Sequence, residues 1–227
     1  MPEYNSTSSN IGVSWWSHAI GGFKEGIEEN LKENIINEPT VKNIFAGDSR
    51  TVMMYFATHT EDTVSRLEID ELDSIGNYWK AKGATDYTYM VDEAFPEIDN
   101  RVENGTNIFI LFGVNNDNNL AMVDKYADIL SIKSLEWKNK GAKVFYVTVG
   151  PVGENAWHTE TLGYRNIWVE EWNNLIKEKL DFSNMVLIDL YEDIGKDLEL
   201  LNDDIHYTHK ASKKIYEYLL ENSKDYN

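Results

Sequence analysis

Short apolar runs of strand length alternate along this chain with longer stretches in which apolar residues recur at helical spacing. Val41 to Phe45 is rich in β-branched and aromatic residues, breaks at Ala46-Gly47-Asp48-Ser49, and gives way to the apolar pattern Thr51 to Phe56. That order predicts a strand, a tight turn and a helix. Asn77 to Lys82 reads as a second strand ending at Gly83. Thr106 to Phe112 is nearly all apolar and reads as a third, covered on both faces. Lys143 to Val149 and Met185 to Leu190 supply a fourth and a fifth.

The stretches between them carry the helical period. Tyr87 to Val102 is helical in pattern, with Pro96 expected to break or kink it. A helix follows the third strand to about Asn139 and is closed by Gly141. Tyr164 to Leu180 places Ile167, Trp168, Trp172, Leu175 and Ile176 on one face, and Thr208 caps a last helix from His209 to Leu220. Two stretches receive no element. Trp157 to Gly163 reads as a long loop. Thr58 to Asp73, with its run Glu68-Ile69-Asp70-Glu71-Leu72-Asp73, lacks the glycine and ligand spacing of a calcium loop and reads as a solvated face.

Strand and helix alternating about five times imply a parallel sheet between helices, and right-handed crossovers leave a doubly wound three-layer α/β/α sandwich. The 227 residues suit one sizeable core, assigned to 41–227. Residues 1–40 read as an N-terminal extension. Its first ten positions are polar, and Phe23, Ile27, Leu31 and Ile35 mark an amphipathic helix over Phe23 to Ile36, expected to cover a sheet edge.

Charge and composition narrow the partners. With 39 acidic against 21 basic residues the formal charge is −18, a surface that repels phosphate backbones and anionic headgroups, so nucleic acid and membrane partners are not expected. The absence of cysteine removes disulfides, thiolate metal sites and a cysteine nucleophile together. No apolar run approaches a membrane span, and Met1 to Gly22 has no basic segment followed by an apolar one. The expected setting is secreted or cell-envelope, with a signal outside this sequence, and cytoplasmic is the alternative. The sequence is silent on oligomeric state.

The first three predicted strands end in Ser49, Gly83 and Asn115 on one rim of the sheet, where open α/β sheets place their ligands. Ser49 sits where a helix N-terminus favours negative charge, a good place for a nucleophile. In the loop before the last helix, Asp203 precedes His206 by three residues. That spacing lets the carboxylate accept from His206 Nδ1 while Nε2 points toward a serine, the geometry a general base needs. Taken singly, Ser49 and Asn115 are also ordinary helix caps and Asp203 an ordinary turn residue. It is their joint occurrence in order that carries weight. His18, His59, His158 and His209 show no metal-binding spacing and read as structural or surface residues, and no metal or cofactor is expected.

These blocks, Gly47-Asp48-Ser49, Gly83, Gly113-Val114-Asn115 and Asp203-Asp204-Ile205-His206, resemble in order those of the SGNH (GDSL-type) hydrolases, the lipase/acylhydrolase group. The resemblance implies a five-stranded parallel flavodoxin-like sheet and a serine hydrolase without a cofactor. It implies Ser49 as nucleophile, His206 as base, Asp203 as the acid that orients it, and an oxyanion hole from the N–H groups of Ser49 and Gly83 with the Asn115 amide. Two departures stand out: Arg50 replaces the usual leucine, where it could shape what enters the site, and one residue is inserted before Asp117. The expected activity is that of an esterase removing acyl groups, O-acetyl first, from a carbohydrate, because the chain is acidic and rich in Trp and Tyr. Rivals are a lysophospholipase or thioesterase with the same triad, a non-catalytic glycan-binding module on the same fold, and a mononucleotide binder. The last lacks both glycine-rich phosphate motifs.

Overall fold

The computed structural model describes residues 40–59, 64–116, 119–154, 156, 158–159, 162–163 and 166–226. The helix expected over Phe23 to Ile36, together with Asp117 and Trp157, lies outside them. In chain order the elements are β1 (Asn43–Gly47), α1 (Ser49–Thr58), β2 (Glu68–Leu72), β3 (Asn77–Lys82), α2 (Phe95–Arg101), β4 (Asn107–Leu111), α3 (Met122–Asn139) and β5 (Lys143–Val147). A small hairpin follows, β6 (His158–Thr159) with β7 (Leu162–Gly163), then α4 (Asn166–Lys179), β8 (Val186–Ile188), the short α5 (Leu190–Asp193) and α6 (His209–Lys224).

The main sheet has the order β2-β3-β1-β4-β5-β8. From β3 to β8 its neighbours are parallel, the flavodoxin-like arrangement, and every crossover returns through helix. Alternation along each strand sorts the core into two layers. Ile44, Tyr78, Ile108 and Val144 join Phe95, Trp137 and Trp172 from α2, α3 and α4 on one face. Phe45, Trp79, Phe109 and Phe145 join Val52 and Phe56 of α1 and Ile215 and Leu219 of α6 on the other. In-register pairing puts four aromatic rings side by side: Phe45 stacks on Trp79 at 4.5 Å and on Phe109 at 4.9 Å, and Phe109 on Phe145 at 5.0 Å. Each such pair is worth roughly 0.5–1.5 kcal/mol beyond its buried area.

Three expectations need correction. The sheet has six strands, not five, because β2 pairs antiparallel with β3 inside the acidic stretch assigned to a solvated face. Glu68 and Asp70 lie opposite Lys82 and Lys80, with ion pairs of 3.4 and 2.6 Å, while Ile69 between them is fully buried. An edge strand shows one edge to water, and acids there deter pairing with another chain. Second, the interruption expected at Pro96 falls just before it. The turn Tyr87–Tyr89 runs into a π-helical turn, Met90–Ala94, whose wider register puts Pro96 in the first turn of α2, where a missing N–H costs nothing. Third, α4 buries Val169, Trp172, Asn173 and Ile176, and Ile167 is 65% exposed. The stripe is rotated because a polar residue occupies it: the Asn173 side chain accepts from Val149 N–H at 2.9 Å and donates to Val149 O at 2.8 Å.

Candidate active site

β1 delivers the serine. Gly47 closes the strand against α1, where a Cβ would overlap Thr51 Oγ1 and lie 2.9 Å from Leu111 O, so only glycine fits. Asp48 then caps α1, its carboxylate accepting the Arg50 N–H at 2.9 Å. Ser49 is the first helical residue, and its own N–H is one of those a helix start leaves without an intrahelical partner.

The loop before α6 delivers the histidine. Thr208 caps α6 by accepting the Ala211 N–H, and just upstream Asp203 and His206 share one turn. Asp203 Oδ1 accepts the N–H groups of Ile205 and His206 at 2.9 and 2.8 Å, and its Oδ2 lies 2.7 Å from His206 Nδ1. His206 Nε2 is 2.8 Å from Ser49 Oγ. Burial works against ionisation of Asp203, but the bonds from His206 and Ile205 outweigh it and hold the carboxyl below its ordinary value. The carboxylate therefore stays charged, fixes the ring and can stabilise an imidazolium. Ser49, His206 and Asp203 thus meet in one hydrogen-bonded chain, 157 residues apart in sequence between serine and histidine.

The other predicted residues divide. Asn115 lies beyond the end of β4, the strand beside β1, and its side-chain amide donates to Thr85 O at 2.7 Å. Its neighbour Asn116 was not foreseen; its Oδ1 accepts the Tyr87 N–H at 3.1 Å and the Tyr126 hydroxyl at 2.8 Å, tying the loop to the turn after β3. Gly83 is a correction. Its N–H donates to Leu67 O at 2.6 Å, prolonging the β2–β3 ladder, and so is spent on the edge strand. Ala84, with φ of 56°, reverses the chain, and Thr85 is the residue that reaches Asn115.

Arg50 also departs from expectation, because its guanidinium points into backbone: Nε donates to Ile205 O at 2.9 Å, Nη1 to Gly150 O at 2.8 Å and Nη2 to Pro151 O at 3.0 Å. Asp48, only 2% exposed, has its carboxyl pushed up to about 6 by burial, against the pull of Arg50 and His206. His59 stacks on Tyr55 at 4.0 Å and lies 3.5 Å from Asp73, and His209 reaches Phe56 O, so both are structural. Among the described residues no three His, Asp or Glu are grouped to hold a metal ion, and no helix is long and apolar enough to cross a membrane.

No protein-family model and no curated protein matches the sequence. Solved structures do match in fold. A lipase/acylhydrolase from Enterococcus faecalis is 16% identical with a TM-score of 0.54, over 82% of this chain and 96% of that one. An acetylxylan esterase from Geobacillus stearothermophilus, solved as a catalytic mutant, is 13% identical with a TM-score of 0.53, over 81% and 94%. A Streptococcus pneumoniae protein described as a platelet activating factor is 16% identical with a TM-score of 0.59, over 96% and 99%. The chain shares the α/β/α fold of these structures.

Proposed function

We propose that the protein is a serine esterase that hydrolyses acyl esters through an acyl-enzyme on Ser49. One observation carries this reading: the unbroken chain from Asp203 through His206 to Ser49 Oγ, at 2.7 and 2.8 Å. A serine hydroxyl is a weak nucleophile at neutral pH and needs a base within hydrogen-bond reach. In the reaction Ser49 Oγ attacks the acyl carbon as His206 Nε2 takes its proton. The carbonyl oxygen becomes an oxyanion. His206 then gives the proton to the departing alcohol as the C–O bond breaks, and a water, deprotonated in the same way, releases the acid.

For the oxyanion, the groups at hand are the Ser49 N–H at the start of α1 and the Asn115 amide, which Thr85 O orients. On the β3 side the Gly83 N–H is committed to Leu67 O, and Thr85 contributes its carbonyl, the acceptor that orients Asn115. The substrate best supported is an O-acetylated carbohydrate: the surface is strongly acidic, which disfavours anionic lipid, and two kinds of acetyl xylan esterase structure share the fold.

The test is acetate release from acetylated xylan, beside fatty-acid release from a lysophospholipid and thiol release from an acyl thioester, each with Ser49→Ala as control. Acetate release that vanishes in the variant supports the proposal. Turnover of the lipid or thioester alone transfers the triad to the corresponding rival substrate. No turnover of any of them, in folded protein, favours the glycan-binding module.

A further inference from the structure

We propose that Arg50 is a positioning residue that holds the catalytic base in register with the nucleophile; this rests on the hydrolase reading above. Successive helical residues point about 100° apart, so Ser49 can face the sheet rim while Arg50 faces the loops behind it. There it makes three hydrogen bonds in three directions. One goes to Ile205 O, the peptide immediately before His206; the other two go to Gly150 O and Pro151 O, beyond the end of β5.

The residue after His206 is tied to the same place. The guanidinium lies 4.6 Å over the centre of the Tyr207 ring, and the Tyr207 hydroxyl donates to Pro151 O at 2.9 Å. His206 is therefore flanked on both sides by residues fastened to Arg50 and Pro151. The anchor itself is firm. Asn173 holds both polar groups of the Val149 backbone, and Asn166 holds both of Val152 at 2.9 and 2.8 Å. Gly153 N–H donates to Asp204 O at 2.7 Å, with no room for a Cβ against the Asp204 side chain.

The loop that carries His206 is partly exposed and bends sharply, so a tie to the body of the protein bears on where the ring sits. Asp203 and His206 are partly exposed, and Asp204 sits at φ 57°, a conformation that disfavours side chains. Within the loop and its flanks, Leu201 N–H donates to His206 O at 2.7 Å, Asp204 N–H to Leu201 O at 2.9 Å and Thr208 N–H to Glu199 O at 2.9 Å. Arg50 ties the loop, through Ile205 O, to the helix that carries Ser49. The chemistry selects arginine. A guanidinium offers five donors in a flat fork, so Nε, Nη1 and Nη2 each meet one carbonyl; the three donors of a lysine ammonium leave a single nitrogen and do not reproduce that spread, and a leucine leaves all three carbonyls without this donor. Asp48, beside Arg50 at the same helix start, is buried and accepts the Arg50 backbone N–H.

The experiment compares wild type with Arg50→Lys, Arg50→Leu and Tyr207→Phe, well below each protein's unfolding temperature. The number of competent sites is counted by endpoint labelling of Ser49 with a fluorophosphonate, and p-nitrophenyl acetate turnover is expressed per labelled site. The expected result is kcat per labelled site reduced up to about 100-fold in both Arg50 variants, a smaller reduction in Tyr207→Phe, and KM within about twofold of wild type. A purely structural role would lower the count of labelled sites and leave kcat per site unchanged, and that result overturns the proposal. So does a raised KM with unchanged kcat, which would place Arg50 against substrate. If Arg50→Leu does not fold, Arg50→Lys and Tyr207→Phe decide by the same criteria. A wild-type protein that is neither labelled nor active refutes the hydrolase reading itself, a result distinct from active wild type with unaffected variants.

Discussion

Replacing Asp48 by asparagine isolates the cost of keeping a buried carboxylate at the start of α1, next to Ser49. Asp48 is 2% exposed, and burial raises its carboxyl from an ordinary 3.8 to about 6 despite Arg50 nearby. Between those two pH values the folded protein holds a proton that the unfolded chain has released. The stabilisation linked to that proton is complete below about pH 3.8 and is lost as pH rises through about 6. At about 1.4 kcal/mol per pKa unit, the folded state with Asp48 ionised is less stable by about 3 kcal/mol than with it neutral. Asparagine keeps the shape and the oxygen that caps α1, and never ionises. Urea unfolding of the two proteins across pH should therefore show similar stabilities near pH 4. Their difference should grow between about pH 4 and 7, with Asp48→Asn ahead by up to about 3 kcal/mol at pH 8. Asp203, whose carboxyl is held low, has the opposite pH dependence, losing its contribution as pH falls, but it is common to both proteins and cancels in the difference. A difference that does not vary with pH, or a wild type that is the more stable at pH 8, would refute the reasoning. It would mean that Arg50 and the helix N-terminus outweigh burial.

Other expectations follow from the same geometry. Asn115→Ala should lower kcat on p-nitrophenyl acetate by about 100-fold or more with little change in KM, because the amide acts on charge that develops only in the transition state. A change confined to KM would remove Asn115 from the oxyanion hole. Gly47→Ala should cost at least about 1–3 kcal/mol in urea unfolding, since its Cβ would overlap Thr51 Oγ1 and crowd the fixed carbonyl of Leu111; unchanged stability would show that α1 can move off β1. Asp203→Asn should reduce kcat on the order of 10³–10⁴-fold while thermal unfolding stays cooperative, and full activity would deprive Asp203 of its orienting role.

How far the chain could be read in advance depended on whether the signal was local. β1, its turn and α1 are written in contiguous residues, as are the Asp203–His206 turn and the Thr208 cap. The meeting of Ser49 with His206 could be anticipated because in a parallel sheet the strand ends and the last loop share one rim. β2 was hidden because an edge strand with cross-strand ion pairs looks like a solvated acidic run until Lys80 and Lys82 are set beside Asp70 and Glu68. That two-residue complementarity was the available signal. Gly83 misled because the turn after β3 is made by Ala84 with positive φ, a conformation that glycine usually marks. Asn173 shifted the stripe of α4 because its amide satisfies a distant backbone, and Arg50 drew its meaning from carbonyls about a hundred and more residues away. Neither leaves a periodic trace.

The central claim is that Ser49 is an activated nucleophile, and intact-protein mass spectrometry after treatment with a serine-directed fluorophosphonate tests it most directly. The account predicts a single adduct, mapped to Ser49, absent from Ser49→Ala and strongly slowed in a His206→Ala protein that still folds. No adduct on the folded wild type, or an equal adduct in Ser49→Ala, would contradict it.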